Sequence, residues 1–361
     1  MALADSKHKQ NIKPSREILL DLPKIEVHRH LEGTYPIESL FRMAQKNKLD
    51  VPGNLDDFKR EFQFPKNHKP DFLLFLSKFK KFWYKDINDV ASIAYDSVKS
   101  FKEEALHYIE LRFNPLHFTE LTGLDPKEVT RTIISSSNSA AKEINLEIRY
   151  LLTFNRHIQT AQEMIKTYKE LLDVDLNGVV GIDLAGDESH FPPELFIEFF
   201  DLIKKDGLFA IDIHAGEVTD SQNVWVAIDQ LHADRIGHGV GVRNDKKIQK
   251  EITRRNIFLA QCITSNYQTG AWKNEKTHPM KKLVNAGVPV SIASDDPTIQ
   301  DSLLTDDYEK TVKYFGWTLN DLIQSNQASV SGCFLSDREK TRLTQSYTAA
   351  VNSFLKKHNL L

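Results

Sequence analysis

Lys24-Ile25-Glu26-Val27-His28-Arg29-His30 is a short apolar-flanked run that ends in two histidines separated by one arginine. Side chains alternate between faces along a strand, so a strand here points His28 and His30 one way and Arg29 the other. Seven further short runs recur between longer amphipathic stretches: Tyr108 to Asn114, Glu147 to Phe154, Val179 to Ala185, Ala210 to His214, Arg235 to Gly239, Ile257 to Ile263 and Val288 to Ala293. Such alternation is that of βα units around a parallel sheet, and eight strands close into a barrel. The expected fold is therefore α/β, a (β/α)8 TIM barrel.

Chemistry-bearing side chains fall at the carboxyl ends of these runs, where a barrel of this kind carries its active site. His28, His30, His214 and Asp295 offer three imidazole nitrogens and one carboxylate oxygen, a donor set suited to one zinc ion with a position left open for water. Zinc so held would bring the pKa of a bound water down to roughly 7. His238 closes another strand and titrates near neutrality, which suits a general base. Glu217, three residues beyond His214, is placed to donate a proton to a ring nitrogen of a substrate. Asp296 follows Asp295 directly, and two carboxylates in one coordination sphere repel, so Asp296 should diverge toward water or substrate. Ser294-Asp295-Asp296-Pro297 otherwise reads as a helix N-cap and first turn. Gly186, lacking a side chain, would let a planar heterocycle approach its backbone. Arg156, His157 and His190 also lie near strand ends, and a structural role is expected for them.

The chain has 361 residues, 40% of them hydrophobic, with 47 basic and 50 acidic side chains and a net charge of −3. That balance implies no charge-driven nucleic-acid partner. Cys262 and Cys333 are too few for a disulfide framework or an all-cysteine zinc site. No apolar segment is long enough to span a membrane or to form a signal peptide, so a cytoplasmic protein is expected. One domain over residues 1–361 is expected, with a polar N-terminal extension over 1–20.

The first crossover, from Gly33 to about Leu106, is much longer than one helix requires, and extra helices are expected over the barrel mouth within about 34–106. Phe72, Phe75, Leu76 and Phe79 recur at helical spacing there. They would form either an apolar stripe toward a ligand or an ordinary core-facing stripe. Phe82 and Trp83 suit the same roles.

The segments Lys24 to Gly33, Gly181 to Glu188, His214 to Glu217, Arg235 to Gly239, Ser265 to Trp272 and Ser294 to Pro297 together resemble the adenosine deaminase family of zinc amidohydrolases. The resemblance runs from Leu22 to about Phe354. It implies hydrolytic deamination of adenosine and 2′-deoxyadenosine to inosine or deoxyinosine and ammonia, a reaction of purine salvage. It further implies one zinc per chain on His28, His30, His214 and Asp295. In the same way Glu217 is expected to donate to purine N1, His238 to orient or deprotonate the water, Asp296 to contact N7 and the Gly186 backbone to contact N3. The family's ribose-binding Asp, two residues past the second histidine, is Glu32 here, the form found in relatives that deaminate free adenine. Ser265 to Trp272 and the Phe72 to Phe79 gate look like the adenosine branch. Adenine and other adenine nucleosides, methylthioadenosine and aminodeoxyfutalosine among them, are the competing substrates. A zinc-containing nucleoside-binding protein without turnover is the competing class, opposed by the presence of Glu217, His238 and Asp296 together.

Overall fold

A computed structural model describes residues 11–66 and 68–361, so the first ten residues of the expected N-terminal extension lie outside it. Eight strands form one sheet: β1 Lys24–His30, β2 Leu106–Phe113, β3 Glu147–Asn155, β4 Val179–Ala185, β5 Ala210–Ala215, β6 Arg235–His238, β7 Phe258–Gln261 and β8 Val290–Ile292. They pair in sequence order, each parallel to the next. The ring closes beyond the end of β8, where Arg29 and Asp295 form a parallel bridge. His30 N donates to the Asp295 carbonyl at 2.9 Å, and Asp295 N donates to the His28 carbonyl at 3.0 Å. The TIM barrel expected from eight runs is thus the fold, and its seam runs through two of the residues singled out for chemistry.

Each strand is buried nearly end to end, as parallel strands covered on both faces must be. One apolar cluster extends from Leu19 to Leu355 and includes both barrel interior and helical ring. Helix ends follow the local sequence. The helix Pro126–Ile144 starts on Asp125, with proline at its first position, and stops at Asn145 in the left-handed conformation. The helix Asp337–Lys357 opens on a Ser336–Glu339 capping box. Among the described residues no helix is long and apolar enough to cross a membrane.

Three details depart from the sequence reading. The run Ile257 to Ile263 is strand only to Gln261, and Ile263 begins a helix ending at Gln268, because the chain must turn out of the barrel. Within the long first crossover, the helix Ile87–Ser100 packs against Pro126–Ile144 as a member of the outer ring. The added material is the set Ile37–Lys46, Leu55–Phe62 and Phe72–Leu76. The last of these spans five residues, so Phe79 lies past its end and the expected continuous stripe is a one-turn helix plus a loop. Trp83 is buried in the main core, while Phe82 is 36% exposed.

Candidate active site

The carboxyl ends of β1, β5 and β8 bring His28, His30, His214 and Asp295 into one buried group, whose ligand atoms lie within 4.8 Å of one another. His30 Nε2 is 3.1 Å from His214 Nε2, and Asp295 Oδ1 is 3.2 Å from His28 Nε2 and 3.4 Å from His30 Nε2. A tetrahedral zinc with bonds of about 2.0–2.1 Å has edges of roughly 3.3–3.4 Å, so the donor spacing suits the ion. Both His28 ring nitrogens and Asp295 Oδ1 are buried without a hydrogen-bond partner, a costly arrangement that a cation would relieve.

Burial drives the His28 ring well below its ordinary pKa and His30 down to about 3, leaving neutral imidazoles ready to coordinate. Burial acts the other way on Asp295, but the His28 ring 3.2 Å away and the nearby histidines hold its carboxyl well below the usual range. Asp183, inside β4, accepts from His214 Nδ1 at 2.9 Å, which fixes the tautomer and leaves Nε2 free for a metal. Ser265 Oγ donates to Asp295 Oδ2 at 2.6 Å. Arg29, on the opposite face of β1, donates to Ser294 Oγ at 2.8 Å and Glu104 Oε1 at 3.0 Å, and so braces the strand from behind.

Two non-glycine residues at this mouth, His238 (φ 65°) and Asp295 (φ 68°), occupy the left-handed region. Such strain is held only where surrounding structure enforces it, and it gathers at functional sites. Gly237 sits beneath the group, where a Cβ would come within 2.6 Å of His28 Cε1. Gly33 is equally constrained, because its Cβ would overlap Asp296 Oδ1 at 1.9 Å.

The tautomer of His238 follows from its neighbours. Met280 N–H can only donate, and it donates to His278 Nδ1 at 3.3 Å, so His278 carries its proton on Nε2. That proton goes to Asn266 Oδ1 at 3.1 Å, which turns the Asn266 amide nitrogen to His238 Nδ1 at 3.0 Å. His238 therefore presents Nε2–H, 3.6 Å from Glu217 Oε2. Burial, then the Asp295 and Glu188 carboxylates, pushes Glu217 up to about 8, so it is protonated at neutral pH. Asp296 is likewise raised well above the usual carboxyl value by burial and by Asp295, and its Oδ1 has no partner.

These groups line a cavity of about 930 Å³. His30, His214, His238, Glu217, Asp295 and Asp296 form its floor, and Glu32 and Gly186 stand on its wall. Phe72, Phe75, Leu76 and Phe79 also face it. Apart from Phe82 and Trp83, every residue selected from the sequence for metal, proton or ligand contact borders this one cavity or the buried group beneath it. Glu32 Oε1 accepts from Asn114 N at 2.6 Å, and its other oxygen is buried without a partner.

Sequence reading missed Asp183, Ser265, Asn266 and Thr269, whose hydroxyl lies 2.9 Å from Glu217 Oε1. Asp183 had a signal, an ionisable residue inside an apolar strand run; the others lie in Ser265 to Trp272, a segment singled out for its resemblance, but their individual roles had no signal because they act through neighbours distant in sequence. His157 also borders the cavity. Arg156 keeps a structural role, donating to the His214 carbonyl at 2.6 Å.

Barrel and site together define a metal-dependent hydrolase. The family model described as adenosine deaminase matches residues 23–350, and the chain belongs to that family. An adenosine deaminase of Yersinia pseudotuberculosis is 31% identical over 327 residues, covering 89% of this chain and 96% of the relative. Three solved structures share the fold. They are a zinc-bound amidohydrolase from Burkhoderia ambifaria (TM-score 0.85, 22% identity, 95% and 94% coverage), an adenine deaminase from Arthrobacter aurescens (0.83, 21%, 92% and 99%) and an N6-methyl-AMP deaminase from Arabidopsis thaliana (0.80, 23%, 94% and 100%). The protein is accordingly a hydrolytic deaminase, and zinc is the metal on which its family depends.

Proposed function

We propose that the chain deaminates adenosine and 2′-deoxyadenosine, with His28, His30, His214 and Asp295 as the zinc ligands. The observation that carries the substrate reading is the reach of the cavity from the metal group to Glu32, whose second carboxylate oxygen is buried without a partner, and on to Phe72, Phe75 and Phe79. The continuous core supports one deaminase domain, and two buried free thiols suit a reducing cytoplasm.

Zinc, when bound, supplies Lewis acidity that activates water at neutral pH. Glu217, protonated, donates to purine N1 as the C6 carbon is attacked. His238, held as its Nε2–H tautomer, donates toward the oxygen developing at C6; orienting that oxygen suits this network better than accepting a proton from it. Asp296 donates to N7, and the Gly186 backbone borders N3. Glu32 takes the ribose 5′-hydroxyl on its unpartnered oxygen.

A second reading, a 5′-phosphorylated adenine nucleoside, is favoured by Lys81 on the cavity wall, although Lys81 is already ion-paired with Glu120. The deciding experiment is ammonia release from the zinc-loaded protein with adenosine, deoxyadenosine, adenine, methylthioadenosine, AMP and N6-methyl-AMP, each repeated after chelation. Metal-dependent turnover highest on the two nucleosides is expected. Preference for a nucleotide or for adenine would overturn the substrate reading, and none on any would leave a nucleoside-binding protein.

A further inference from the structure

A second concavity, of about 840 Å³, is formed by the segments that follow β6, β7 and β8 and shares no lining residue with the deamination cavity. Arg243, Lys276, Lys281 and Lys282 line it together with the aromatic rings of Trp272 and Tyr314. No carboxylate is paired with any of these four cations among the described residues. Arg243 donates to the Val240 carbonyl, Lys281 to the Phe315 carbonyl at 2.7 Å and Lys282 to the Asn244 amide oxygen at 2.7 Å, all neutral acceptors. The nearby acid Glu275 is engaged elsewhere, at 2.5 Å from Lys310. In a chain of net charge −3, unpaired cations gathered in one hollow are a local departure from the whole. The Arg243 guanidinium lies over Trp272, 5.2 Å from the ring centroid, a planar cationic platform of the kind on which bases stack.

An independent observation ties this hollow to the chemistry. His278 lines it, although buried, and is the outer member of the chain that fixes the His238 tautomer through Asn266. The Trp272 backbone N–H also donates to the Asn266 carbonyl at 2.7 Å. Asn266 therefore receives both a wall residue and the platform residue of the hollow, while its amide holds His238.

We propose that this hollow is a binding site for a free nucleoside phosphate, with its base on the Arg243–Trp272 platform and its phosphates on Lys276, Lys281 and Lys282, and that occupancy acts on His238 through His278 and Asn266. The site is separate from the deamination cavity, and its binding half stands whatever substrate is turned over there.

The test is titration of the zinc-loaded full chain with ATP, inosine being present at saturation to fill the deamination cavity, followed by tryptophan fluorescence and by calorimetry. ATP should bind, inorganic phosphate more weakly, and adenosine not at all at this site. Lys276→Gln combined with Lys282→Gln should weaken ATP by about tenfold, roughly the loss of two charge-assisted contacts, and keep basal turnover. Arg243→Gln is the second variant and should weaken ATP more than inorganic phosphate. No ATP binding beside inosine, or equal binding by these variants, overturns the site. Phosphate binding as tightly as ATP overturns the nucleoside part. For the coupling, saturating ATP should change kcat or KM on whichever substrate is turned over by about fivefold, and the lysine variants should abolish that change. Unchanged kinetics with ATP bound overturns the regulatory half alone.

Discussion

Two clusters of buried charge sit in the same barrel, about one layer apart, and they are finished differently. In the lower one, Arg235 reaches Glu110 Oε2 at 2.6 Å and Asp212 Oδ2 at 2.8 Å, and Arg112 reaches Asp212 at 2.9 Å and Asp183 at 3.1 Å. Charge there is matched by opposite charge. In the upper one, imidazoles and carboxylates face each other with unpartnered atoms on His28 and Asp295. Asp183 belongs to both, accepting from His214 above and pairing with Arg112 below. Buried charge alone is therefore no mark of a site. Single buried atoms without a hydrogen-bond partner occur in both, Arg112 Nε and Asp212 Oδ1 below as well as His28 and Asp295 above, so what distinguishes function from framework is a set of four ligand atoms that converge within 4.8 Å with no cationic side chain among them.

If that distinction is right, changes above should abolish turnover and spare the fold, while changes below should do the reverse. The largest expected effect is Glu217→Gln, which removes the proton donor and should lower kcat by about 10²–10⁴, with zinc content and melting temperature kept. Equal turnover would remove Glu217 from proton transfer. Next comes Arg235→Met, which strands Glu110 and Asp212 in the core and should cost about 3–5 kcal/mol in denaturant unfolding. A loss of activity at full stability would mean that the lower cluster is part of the site. Asp183→Asn probes the shared residue: zinc affinity should fall about 10–100-fold by competition with a chelator, and unaltered affinity would confine Asp183 to the framework.

The smallest effect is in pH dependence. Glu217 is raised above the ordinary carboxyl value, so its proton is present below about 8 and lost above it, and kcat should decline as pH rises through that value. A decline on the acidic side only would reassign the donor.

His28 and His30 were legible because strand alternation is local geometry, and β1 and β4 occupy the residues their apolar runs suggest. The cavity residues were legible because barrel chemistry gathers at strand ends. The short strands β7 and β8 were less so, since three or four residues carry too little periodicity to mark an end. Phe72 to Phe79 held an ambiguity between gate and core that the structure keeps on both sides, since these side chains line the cavity while Phe75 and Phe79 also pack with Phe64 and Ile299 in a small apolar cluster.

By itself the sequence determined the eight-strand alternation, the donor types and their placement at strand ends, because these depend on periods of a few residues. The tertiary structure alone decided which buried cluster pairs cation with anion and which converges ligand atoms on one point, that Asp295 both seals the barrel and belongs to the converging group, and which His238 nitrogen carries the proton. Those properties belong to contacts between residues far apart in the chain. His238, Asn266, His278 and Met280 acquire their hydrogen-bond directions only when β6 and the two segments after β7 are packed together, since a donor has no fixed partner until the fold supplies one.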